Sequence, residues 1–123
     1  MKAKVIFPII VLILIVLFTL TVNDSYFFNK AICKEKKALY TPKFNGIVVN
    51  KFLDSTNHRY QTLLLRDSTS QNILKIYFIN EKSKFYLNVK KGDYIRKESG
   101  SLIISNMTTG IIDTLKFDCR KVY

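Results

Sequence analysis

The sequence predicts a mainly β protein, an N-terminal transmembrane helix followed by a small antiparallel β-barrel or sandwich of OB-like or SH3-like type. Three observations carry this expectation. Residues 5–22 are uncharged and mostly apolar behind the basic tip Met1-Lys2-Ala3-Lys4; short runs rich in Ile, Val, Leu, Tyr and Phe fill the rest between Gly, Asn, Asp and Ser; and no later stretch repeats apolar residues at helical spacing.

Taken in chain order, residues 1–4 read as a cytoplasmic tip and 5–23 as the transmembrane signal anchor. The apolar run would be about 27 Å long as a helix, enough for a thin hydrocarbon core. Its exit, Thr19-Leu20-Thr21-Val22-Asn23-Asp24, lacks the small-residue pattern of a cleaved signal, which favours retention. Lysines lie on both sides, at Lys2 and Lys4 and again at Lys30, Lys34, Lys36 and Lys37, so charge alone leaves orientation open. Residues 24–41 read as a lysine-rich tether with Tyr26, Phe27 and Phe28 at head-group level.

Residues 42–123 then form the barrel, with strands expected at 46–53, 60–66, 73–79, 95–98, 102–106 and 114–119. The last alternates most cleanly, Leu115, Phe117 and Cys119 against Lys116, Asp118 and Arg120. Asp54-Ser55-Thr56-Asn57, Glu98-Ser99-Gly100-Ser101 and Met107-Thr108-Thr109-Gly110 supply turn chemistry between these runs. Residues 82–89 read as a short helix or an irregular crossing.

The chain has two cysteines, Cys33 and Cys119, which bracket nearly all of the domain. Bridged, they would close a loop worth roughly 4–5 kcal/mol in the chain-entropy model and would require an oxidising compartment. The other reading is two separate thiols. The bridge is favoured, and with it a domain outside the cytoplasm, periplasmic or extracellular.

Of 20 Lys/Arg and 9 Asp/Glu, giving net charge +11, all but Lys2, Lys4 and Asp24 lie from Lys30 onward. Such a domain suits anionic surfaces, although dispersed lysines also make an ordinary solvated face. Two patterns stand out: Gly46-x-Val48-x-x-Lys51-Phe52-x-Asp54-x-x-Asn57-His58 and Gly92-Asp93-x-Ile95-x-Lys97-x-x-Gly100-Ser101. With the anchor and the late cysteine they resemble a group of small single-pass bacterial proteins with a β-rich outer domain. That resemblance implies no activity.

Turn chemistry explains each polar residue in the patterns; a functional reading gathers Lys51, Asp54, Asn57 and His58 near Asp93 and Lys97 as a polar site. A second candidate is a binding face of Tyr60, Tyr77, Tyr86 and Tyr94 among Lys75, Lys84, Lys90, Lys91 and Arg96, able to stack rings and neutralise anions. One histidine and no ligand-spaced His/Cys pair leave no metal expected, no cofactor motif occurs, and no catalytic residue is assigned. The expectation is an interaction or structural module without catalytic activity. Its partners would be the membrane, an unidentified envelope protein, or an anionic polymer, glycan or lipid; nucleic acid suits an outside domain poorly.

Overall fold

The computed structural model describes the backbone of residues 2–120 and the side chains of residues 6–20 and 26–120. A helix, α1 (Lys2–Tyr40), leads into β1 (Phe44–Asp54), β2 (Tyr60–Asp67) and β3 (Ile73–Tyr77), a short α2 (Phe85–Asn88), then β4 (Tyr94–Lys97), β5 (Ile103–Asn106) and β6 (Ile111–Thr114). The strands form one antiparallel sheet in the order β3-β2-β1-β4-β5-β6. It does not close, so the expected barrel is corrected to an open sheet with two helices.

The expected membrane span is corrected as well. Among the described residues no helix is long and apolar enough to cross a membrane. The described apolar stretch, residues 6–20, measures about 22 Å at 1.5 Å per residue, short of a hydrocarbon core of about 30 Å. Val5, Thr21 and Val22, which the expectation needs, lie outside the described side chains.

The tether is also replaced. Helix α1 runs through residues 24–40 and buries Ile32 and Leu39, seven residues and two turns apart on one face. Its C-terminal end is held by the β4–β5 hairpin. Tyr40 O accepts from Gly100 N at 2.9 Å and from Lys97 Nζ at 3.3 Å, and Thr41 O accepts from Ser99 Oγ at 2.7 Å. These donors satisfy carbonyls that a helix end leaves unpaired.

Strand β1 organises the sheet because it pairs on both sides, with β2 and with β4. Its start, Phe44, Gly46 and Val48, alternates into the core. Gly46 allows close passage: a Cβ there would lie 2.0 Å from Arg66 O. At Val49 the register slips, Val48 facing Leu65 but Asn50 facing Leu64. The extra residue reverses the alternation. Lys51 thereby comes opposite Leu63, and Asp54 reaches Tyr77 and Lys75 of β3.

The core is continuous from Phe44, Val48, Leu63 and Leu65 through Ile95 and Ile104 to Leu115, with Phe78 of the β3–α2 connection and Phe85 and Tyr86 of α2 joining it. Residues 114–119, expected as the last strand, are instead the final residue of β6 followed by irregular chain. Leu115 is buried and Lys116 exposed, so the alternation in sequence reports burial without a full ladder. One backbone bond crosses from this segment to the other end of the sheet, Lys82 N to Lys116 O at 2.8 Å. Beside it the Glu81 carboxylate accepts from Lys116 N at 3.0 Å and Ser83 N at 2.7 Å.

Helix α1 is fastened to the same region. Cys33 and Cys119 form a disulfide with Cα atoms 5.0 Å apart. One helical turn earlier, the Asn29 side chain accepts from Arg120 N and donates to Arg120 O, both at 2.9 Å. The two contacts pin the C-terminal segment along α1.

Candidate functional site

Three basic and aromatic side chains of the expected binding face meet at one end of the sheet. Tyr60 and Tyr77 come from β2 and β3, Tyr77 opposite Thr62 and Tyr60 two residues before it on the same face, and their rings pack edge to face with centroids 6.1 Å apart. His58 continues the row at 5.4 Å from Tyr60, and the Lys75 ammonium lies 5.5 Å from the Tyr77 centroid. His58 and Arg59 both have positive φ, 51° and 56°, which turns the β1–β2 connection sharply.

Asp54 anchors this group from below. It is buried, and its carboxylate accepts from Thr56 N at 3.1 Å, Thr56 Oγ1 at 2.7 Å, Tyr77 Oη at 3.0 Å and Lys75 Nζ at 3.0 Å. The Thr56 hydroxyl first, then the lysine and tyrosine, hold its pKa well below the ordinary carboxylate range. The same carboxylate pushes the Lys75 pKa up. The result is a ring-and-cation shelf on a fixed charge pair, with Tyr60 and Tyr77 half-buried and His58 and Lys75 exposed.

The other expected residues go elsewhere. Tyr86 is buried and donates to Phe52 O at 2.9 Å, and Tyr94 bonds to Asn45 Oδ1. Arg96 pairs with Glu98 at 3.2 Å, while Lys84, Lys90 and Lys91 are exposed around α2 and the turn before β4. Burial, with a smaller contribution from Lys90, lowers the pKa of Lys51, whose ammonium donates to Leu87 O at 3.3 Å and Val89 O at 3.0 Å.

The six residues of the expected polar site likewise have separate partners. Asp93 accepts from Lys90 N at 2.9 Å and from Asn106 Nδ2 at 2.8 Å, fixing the turn into β4. Lys97 is 1% exposed, bonded to three carbonyls, those of Tyr40, Glu98 and Ser101, and stacked 5.2 Å from the Phe44 centroid. Burial lowers its pKa. Asn57 supplies turn backbone contacts at Asp54 and Tyr60. No side-chain hydrogen bond or ion pair among the described residues joins any two of Lys51, Asp54, Asn57, His58, Asp93 and Lys97. No group of three or more His, Cys, Asp or Glu able to hold a metal ion occurs among the described residues either.

A second surface was not legible from spacing. Ile103 and Ile112 share the outer face of β5 and β6, since Ile103 pairs with Thr114 and Ser105 with Ile112, and both are exposed, Ile112 at 68%. Met107, in the turn between the strands, is exposed beside them. Strand alternation would reveal this face only once the β5–β6 register was known. In comparisons with known proteins, no family model, curated protein or solved structure matches the chain.

Proposed function

We propose that this chain is a non-catalytic interaction module acting outside the reducing cytoplasm, with an unidentified envelope protein as its partner. The observation that carries the reading is the exposed apolar group Ile103, Met107 and Ile112 at the β5–β6 hairpin, with Ile103 and Ile112 on the face opposite the buried Ile104. Contiguous exposed apolar side chains, unlike single ones, are the signature of a contact surface. The disulfide supports the compartment, because such bonds persist where thiols are not kept reduced.

A photo-crosslinking residue placed at position 103 or 112 in producing cells is expected to capture one discrete partner, and the same residue at Lys84 is not. Equal capture from all three positions, or none from 103 and 112, removes the proposal.

The His58–Tyr60–Tyr77 row with Lys75 favours a second reading, binding of an anionic polymer, glycan or lipid surface. Salt separates the two. Binding through several cations weakens steeply between low and physiological salt, whereas an apolar protein contact does not.

A further inference from the structure

A groove of about 470 Å³ runs between the last turns of α1 and strand β3. Its β3 wall consists of consecutive residues, Leu74, Lys75, Ile76 and Tyr77. Side chains of consecutive strand residues point to opposite faces, so a cavity touching all four looks onto the strand from its open edge. Opposite stand Ala38, Leu39, Pro42 and Phe44, an apolar wall.

The hydrogen-bond phase of β3 decides what this edge offers. Phe78 N bonds to Gln61 O and Asp67 N to Asn72 O, both at 2.9 Å and both in register with the β2–β3 pairs. Antiparallel pairs alternate between bonded and non-bonded, so Ile76 and Leu74 face β2 with their main-chain groups, while Lys75 and Tyr77 turn theirs outward. Those groups of Lys75 and Tyr77 have no hydrogen-bond partner among the described residues. The groove therefore combines an apolar wall with a strip of free main-chain donors and acceptors.

We propose that this groove takes an extended segment of another protein, apolar at alternate positions and carrying an acidic side chain, as an added strand beside β3. The proposal rests on the reading of the chain as a contact module. Strand addition matches the groove's two chemistries, main-chain bonds on one side and side-chain pockets on the other. Charge selects the acid. Lys43, at the 4.0 Å limit of an exposed pair with Glu98, is the cation the groove offers, since Lys75 is bonded to Asp54 at 3.0 Å; the one carboxylate there, Glu35, is held by Asn80 Nδ2 at 2.7 Å, and a net charge of +11 opposes a second copy of the same chain. The volume admits a few side chains and not a folded domain.

The test presents random displayed nonapeptides to the intact, disulfide-bonded chain. Enriched peptides are expected to alternate apolar residues with at least one Asp or Glu and to shift the backbone amide resonances of Lys75 and Tyr77. Methylating their alternate backbone nitrogens should weaken them by about tenfold, the size of a lost main-chain bond or two. Ala38→Trp, at an exposed helix position, fills the groove and should abolish binding. Lys43→Glu leaves the groove open and should weaken the acidic peptides alone. The proposal falls if no peptide is enriched, if enriched peptides bind Ala38→Trp as tightly, or if the Lys75 and Tyr77 amides respond instead to concentrating the protein by itself, which would place a second copy there. Crosslinking from positions 103 and 112 reports on the contact-module reading separately, so either idea can fail alone.

Discussion

Asp54 shows how one side chain can serve a turn, a strand pair and a surface at once. It bonds Thr56 within the β1–β2 connection, reaches Tyr77 and Lys75 on β3, and so fixes the rings that His58 and Tyr60 extend. Its lowered pKa sets a sign for pH dependence. A carboxylate whose folded pKa lies below its unfolded value contributes stability at pH above the unfolded value and loses it as pH falls through the folded one. Stability measured by denaturant from neutral pH down through the carboxylate range should therefore drop with acid in the native chain, and Asp54→Asn should flatten that drop. An unchanged slope in the variant would show that other carboxylates set it. The turn role was legible in Asp54-x-x-Asn57, because short polar side chains bond nearby backbone. The link to Lys75 and Tyr77 was not, since it depends on a bulge that no spacing rule reveals.

Among the elements, β1 carries the most information and the narrowest tolerance. Gly46 is required by the approach of the Arg66 carbonyl and not by a turn, so any side chain there must push β2 away. Gly46→Ala should cost roughly 1–3 kcal/mol, as overpacking does, with the loss visible in the denaturation midpoint. A variant of native stability would mean that the two strands separate without penalty. Strands β1 to β5 were legible within a few residues because their alternation and flanking turns are local properties. The last strand was misplaced, since beyond the single bond from Leu115 N to Leu102 O the alternation of Leu115 and Phe117 reflects packing against the core and not a ladder. The C-terminal part of α1 was missed for a different reason: Ile32 and Leu39 are two apolar positions among lysines, and helical periodicity is too sparse there to rise above a tether.

For the whole molecule, closure is the property that local pattern could not decide. Whether β3 and β6 pair is a matter of contacts far apart in sequence, and here a single backbone bond, the Glu81 carboxylate and the edge of α1 take the place of a ladder. The disulfide compensates by constraining the unfolded chain across a separation of 86 residues. Reduction, or Cys33→Ser with Cys119→Ser, should lower stability by roughly 4–5 kcal/mol on the chain-entropy account, read from denaturant midpoints at constant slope. Equal midpoints would show that the unfolded chain already keeps those ends together. The candidate surfaces follow the same division: the Tyr60, Tyr77 and Lys75 group was legible by residue type, whereas the groove beside β3 exists only because the last turns of α1 end next to that strand.

The bond between Cys33 and Cys119 also decides how the protein carries load. Tension applied between the first half of α1 and any point beyond Cys119 passes from Cys33 directly into Cys119 through the two sulfurs, and the six strands lie in a side loop that feels no pull. With the bridge closed the sheet is mechanically shielded; with it open, the same force would run through the strands themselves.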